Sequence, residues 1–124
     1  MRLFALLLLQ FTVHAAQATC MFARDTKPQE WYEWASVLVA GDVAIVEQRG
    51  SIDVVSLRVV EAYKAPAGVQ TATLEIPQKL WATCRIARPS VGDHVLGALN
   101  ASSDALLVPL TPAYAERLRA IKRR

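Results

Sequence analysis

The run Val37-Leu-Val-Ala-Gly41-Asp-Val-Ala-Ile-Val46-Glu47 constrains the fold more than any other stretch, because an apolar residue stands at nearly every position. Side chains alternate across a strand, which separates Val37, Val39, Gly41, Val43 and Ile45 from Leu38, Ala40, Asp42, Ala44 and Val46. Both sets are largely apolar, so the run predicts a central strand with both faces covered. Gly41 interrupts it. A glycine inside a strand pattern marks a bulge or a bend, the device that lets a strand curl around a small barrel.

The neighbouring stretches supply partners for that strand. Gln48-Arg49-Gly50-Ser51 is a hairpin-type turn, and Ile52 to Lys64, rich in β-branched residues, predicts a second long strand. Thr71 to Ile76 alternates, with Ala72, Leu74 and Ile76 inward, and predicts a third, stopped by Pro77. From Gln78 to Gly92 the pattern is lost, which reads as a structured connection. His94 to Asn100 and Ala105 to Leu110 predict strands four and five.

Helices are expected at both ends. Thr26-Lys-Pro28-Gln29 ahead of Glu30-Trp31-Tyr-Glu33-Trp34-Ala35 combines a capping hydroxyl, a first-turn proline and early acids, with Trp31, Trp34 and Leu38 near one face. Packing against the sheet is the ordinary use of such tryptophans. Thr111-Pro112 opens a last helix as N-cap and N1, whose apolar stripe is Tyr114, Leu118 and Ile121. Five strands with a helix at each end predict a mainly β fold, a small five-stranded barrel of the OB type.

The first residues have a different purpose. Met1-Arg2, an apolar stretch from Leu3 to Val13, and the small-x-small site Ala16-Gln17-Ala18 have the layout of a secretory signal. Residues 1–18 are therefore expected to be removed, leaving 19–124 as one domain. The stretch is shorter than the roughly twenty apolar residues of a membrane span, so the chain is expected to be exported, secreted or periplasmic, and not transmembrane. Lipidation of Cys20 is disfavoured by Gln17 and Thr19 at the preceding positions.

Export sets the redox context. Cys20 and Cys84 are the two cysteines of the chain, and in an oxidising compartment an even pair in a small domain reads as one disulfide. It would close a loop of about 65 residues, for which chain entropy suggests on the order of 4 kcal/mol. Removing Arg2 takes the formal charge from +3 to +2, and much of the excess lies in Arg117, Arg119, Lys122, Arg123 and Arg124. Cations at a helix C-terminus complement its dipole, so the tail reads as a solvated helix end and not as a nucleic-acid footprint.

Residues for chemistry are sparse. His94 is the one histidine of the exported part, beside a turn at a strand start, an ordinary boundary position. It has no companions at metal-ligand spacing. No glycine-rich phosphate loop or closely spaced carboxylate pair is present, so the expectation is no catalysis, no metal and no cofactor.

The order of features resembles the tissue inhibitor of metalloproteinases and netrin-like module. The resemblance rests on an N-terminal cysteine, a short helix, Ala35-Ser-Val-Leu-Val-Ala-Gly41-Asp-Val, a strand ending Val59-Val-Glu-Ala-Tyr63-Lys64, Cys84, and Val91-Gly92-Asp93-His-Val-Leu96. It runs from about Cys20 to Asn100. It implies an OB-type five-stranded barrel, a bridge from Cys20 to Cys84 that lays the N-terminal segment on the barrel, and a partner-contact ridge at Cys20, Met21 and Phe22. In inhibitors of that family the amine and carbonyl of the first cysteine chelate a protease zinc. Cleavage after Ala18 would instead leave Thr19 in front, making the nitrogen of Cys20 an amide, and Phe22 stands where the family has a second cysteine.

Two functions follow from the resemblance. One is a secreted, monomeric binding module with a protein partner, a zinc metalloproteinase being the candidate the resemblance suggests, and no use of nucleic acid. The other is a genuine metalloproteinase inhibitor acting through an N-terminal Cys20, with a glycan-binding module as the lesser alternative.

Overall fold

In the computed structural model of the chain the described residues are 26–124. The expected signal at 1–18, Cys20 and the Cys20-Met21-Phe22 ridge lie outside them. The described part is mainly β, with five antiparallel strands in one sheet and three helices. In chain order these are α1 (Pro28–Trp34), β1 (Val37–Arg49), β2 (Ile52–Lys64), β3 (Thr71–Pro77), α2 (Lys79–Thr83), β4 (His94–Leu99), β5 (Ala105–Pro109) and α3 (Pro112–Lys122). The strand order across the sheet is β3-β2-β1-β4-β5.

Central placement of β1 answers its double apolar pattern. Val39 and Val43 enter one core with Val55, Leu57, Leu74, Ile76, Trp81, Val95, Ala105 and Leu107. Leu38 and Ala40 enter the other with Tyr63, Leu96, Ala98 and Leu106, beneath Trp31 of α1 and Leu118 of α3. One face of the sheet is thus closed by α1 and α3, and the other curls over its own side chains and Trp81.

Three register shifts make the curl. They fall between Leu38 and Val39, between Ala40 and Gly41, and between Val43 and Ile45. Gly41 lies at one of them, where a Cβ would come 2.7 Å from the backbone oxygen of Arg58. The bulge at Ala44 reverses the alternation beyond it: Ile45 turns out to solvent, 57% exposed, while Val46 packs on the core that holds Val43. Gly97 on β4 also leaves space, since a Cβ there would meet Leu57 Cδ1 at 2.8 Å and Leu74 Cδ1 at 3.1 Å. Leu74 belongs to β3, three strands away, which measures how far the sheet bends.

The expected barrel is not closed. Strands β3 and β5 are the two edges of the sheet, and among the described residues no ladder joins them. Both are short and end in proline, Pro77 and Pro109, which removes a donor from each. Their side chains nevertheless share one core, Leu74 and Ile76 from one edge with Ala105 and Leu107 from the other.

The ends of the helices follow local chemistry. Thr111 caps α3, its Oγ1 accepting from the Tyr114 N–H at 3.3 Å. At α1 the N-cap is Lys27 and not the expected Thr26, because Pro28 holds the first helical position and sets the start one residue later. Trp31 is buried and meets Trp34 edge to face, with ring centroids 6.1 Å apart.

Candidate functional site

Connection 78–93 is where sequence periodicity gives out and where side-chain donors converge on a buried carboxylate of β2. It contains α2, a five-residue helix that the pattern did not predict. A helix this short shows too little of a 3.6-residue period to be read. Trp81 is its buried residue and enters the core of the curled face.

Asp53, near the start of β2, fixes this connection. Its side chain is fully buried, and Trp81 Nε1–H donates to Oδ2 at 2.8 Å. Oδ1 accepts from Arg88 Nη2 at 2.7 Å and from Gln78 Nε2 at 3.2 Å. Burial alone would push the carboxyl up, but the hydrogen bonds from Trp81, Arg88 and Gln78 and the charge of Arg88 together outweigh it and hold the group below the usual carboxylate range. Gln78 also donates to the Gly50 carbonyl at 3.0 Å, tying the connection to the β1–β2 turn. One carboxylate therefore binds residues on both sides of α2 to β2.

Cys84 follows α2 directly. It is buried, its N–H donates to the Leu80 carbonyl at 2.8 Å, and the described residues hold no free thiol. The next residue, Arg85, has φ 54, a left-handed conformation that costs a non-glycine residue energy and is held by its surroundings. The Ile86 N–H donates to the Trp81 carbonyl at 2.9 Å and closes the turn. Thus the expected anchor of the N-terminal segment is a buried position just after a short helix clamped by Asp53. Its expected partner Cys20, with Met21 and Phe22, is outside the described residues.

His94 stands in a second constellation. Its Nδ1 is 3.0 Å from Asp42 Oδ1, and Arg58 Nη2 donates to Asp42 Oδ2 at 2.6 Å. The three residues are register partners on β4, β1 and β2. The His94 hydrogen bond, with Arg58 beside it, holds the Asp42 carboxyl below its ordinary range. All three side chains are partly exposed, at 45%, 30% and 70% for His94, Asp42 and Arg58, so this is a cross-strand surface network. Among the described residues no group of three or more His, Cys, Asp or Glu side chains is placed to hold a metal.

The basic tail is mostly exposed, as a solvated helix end, and Arg119 is its partly buried member. Arg119 pairs with Glu61 of β2 at 2.7 Å and with Glu116 at 2.9 Å. Arg123 reaches Glu116 at 3.3 Å, and Lys122 Nζ donates to the Ala62 carbonyl. The Arg119 hydrogen bond lowers the Glu61 carboxyl, and burial, with the Glu61 charge beside it, raises the Tyr63 hydroxyl. Arg119 and Lys122 thus tie α3 to β2, while Arg123 pairs within the helix end.

Among the described residues no helix is long and apolar enough to cross a membrane. Comparison with protein-family models finds no match, and comparison with curated proteins finds none either.

Proposed function

We propose that the chain is an exported, non-catalytic binding module of the netrin-like type, presenting a protein-contact ridge at Cys20, Met21 and Phe22. The observation that carries the reading is the seat of Cys84, a buried cysteine beside a helix clamped to β2 through Asp53. A bridge from Cys20 to this position would hold the ridge on a rigid base, and a contact surface ordered in advance loses less entropy on binding. The ionisable groups around the seat serve the fold: Asp53 accepts from three side chains and Arg88 is one of the donors.

The position of the signal cut decides between a plain binding module and a zinc-protease inhibitor. With Thr19 in front, the nitrogen of Cys20 is an amide with no lone pair to give a metal. N-terminal sequencing of the exported protein, followed by assay against zinc metalloproteinases, tests this directly. Thr19 first with weak or no inhibition is the expected result. A natural N-terminus at Cys20 with tight inhibition would transfer the protein to the inhibitors, and tight inhibition by a form beginning at Thr19 would overturn the chelation argument.

A further inference from the structure

The helix-covered face of the sheet carries a surface unrelated to the Cys84 seat. Between the start of α1 and the last turns of α3 lies a groove of about 520 Å³. Lys27, Arg117 and Arg124 line it together with Pro28, Ala120 and Ile121. Among the described residues no Asp or Glu side chain lines it. None of the three cations makes an ion pair among the described residues.

Packing beneath the groove brings two of them to it. The Tyr114 hydroxyl donates to the Thr26 carbonyl, which brings Lys27 to α3. Arg117 lies over the Tyr114 ring, 5.5 Å from its centroid, a contact that favours its guanidinium at the groove. The other cations of α3 are engaged, Arg119 and Arg123 with carboxylates and Lys122 with a carbonyl. Unspent positive charge on α3 is therefore confined to one concave site with an apolar floor.

We propose that this groove binds a short acidic segment of a protein partner, in which carboxylates alternate with apolar side chains. Arginine forks suit carboxylates, whose two oxygens they can engage together, and Pro28, Ala120 and Ile121 offer the apolar half of the match. A long sulfated polymer would call for a continuous cationic track, and pairing of Arg119 and Arg123 with Glu61 and Glu116 interrupts one here.

The test uses the full exported protein and a short fluorescein-labelled peptide alternating glutamate and leucine, read by anisotropy at low ionic strength. Saturable binding is expected, with amide shifts in two-dimensional NMR confined to Lys27–Gln29 and Arg117–Arg124. The double variant Lys27→Gln/Arg117→Gln should bind roughly tenfold more weakly or worse, as expected when charge-assisted contacts are lost. Arg58→Gln, on the sheet surface, should bind as the parent does. Arg124→Gln alone, at the end of α3, should also weaken binding and serves if the double variant folds poorly. Equal affinity of the double variant or Arg124→Gln, equal affinity for the glutamine-leucine peptide, or binding of heparin in place of the acidic peptide would overturn the proposal. The described residues that line the groove are not those of the Cys20–Phe22 ridge, so a failure here and a failure of the proposed function are read from different experiments.

Discussion

Asp53 shows how one residue can govern a segment that the sequence pattern leaves undefined. Its carboxylate is buried yet has three side-chain donors, and an amide in its place would keep one acceptor oxygen, lose the charge that Arg88 pairs with, and turn an NH2 group toward the remaining donors. Asp53→Asn is expected to destabilise by about 1–3 kcal/mol, the cost of leaving buried polar groups poorly matched, measured as a lower urea midpoint. The pH dependence has a definite sign. Because the folded carboxyl sits below the ordinary value of about 3.9, its contribution is full above that pH and is lost as pH falls through the folded value. The gap between parent and variant should therefore stay constant near neutrality and narrow below about pH 4; a gap that widens on acidification would contradict the assignment. Nothing in the sequence announced this residue, since Asp53 beside a turn looks like any polar strand start. Its three donors lie at least 25 positions away along the chain, a separation that no periodicity encodes. His94 was legible as a strand boundary, but its pairing with Asp42 depends on the β1–β4 register.

Among the elements, long alternating runs were readable and short ones were not. β2 spans Ile52–Lys64 as the sequence predicts, and β1 runs on to Arg49, two residues past the apolar stretch, because the hairpin ladder continues to Arg49 and Ile52. Gly41 was legible as a break, and the structure gives its physical reason, the approach of the Arg58 carbonyl. Gly41→Ala should therefore cost more than the roughly 1 kcal/mol span of strand propensity, because a Cβ at 2.7 Å from a backbone oxygen forces the β1–β2 ladder to shift. Thermal melts of Gly41→Ala beside an alanine substitution at exposed Ser51 would check it, and equal melting temperatures would place Gly41 in open space. Helix α2 escaped prediction because five residues do not complete two turns, and Trp81 reads as a strand residue as readily as a helical one.

For the whole molecule, the fold class follows from sequence while closure of the sheet does not. Two covered faces were implied by β1 alone, but whether β3 meets β5 depends on edge donors, strand length and the curl set by three register shifts. The same consideration bears on the disulfide. With the sheet open between β3 and β5, and an anchor at Cys84 on the connection that follows β3, a bridge to Cys20 would restrain the unfolded chain over a loop of about 65 residues. Reduction is then expected to lower stability by up to about 4 kcal/mol without unfolding the sheet, since the Asp53 hydrogen bonds and the packing of the two apolar clusters do not run through the bridge. Urea unfolding with and without reductant measures the loss. The intact mass of the exported protein should lie about two hydrogens below the dithiol value. If two thiols titrate in the native, oxidised protein, the bridge is absent, and a ridge seated through Cys84 loses its support. If the bridge is present but reduction leaves the urea midpoint unchanged, the N-terminal segment is held by other contacts, and the entropic account of its role fails.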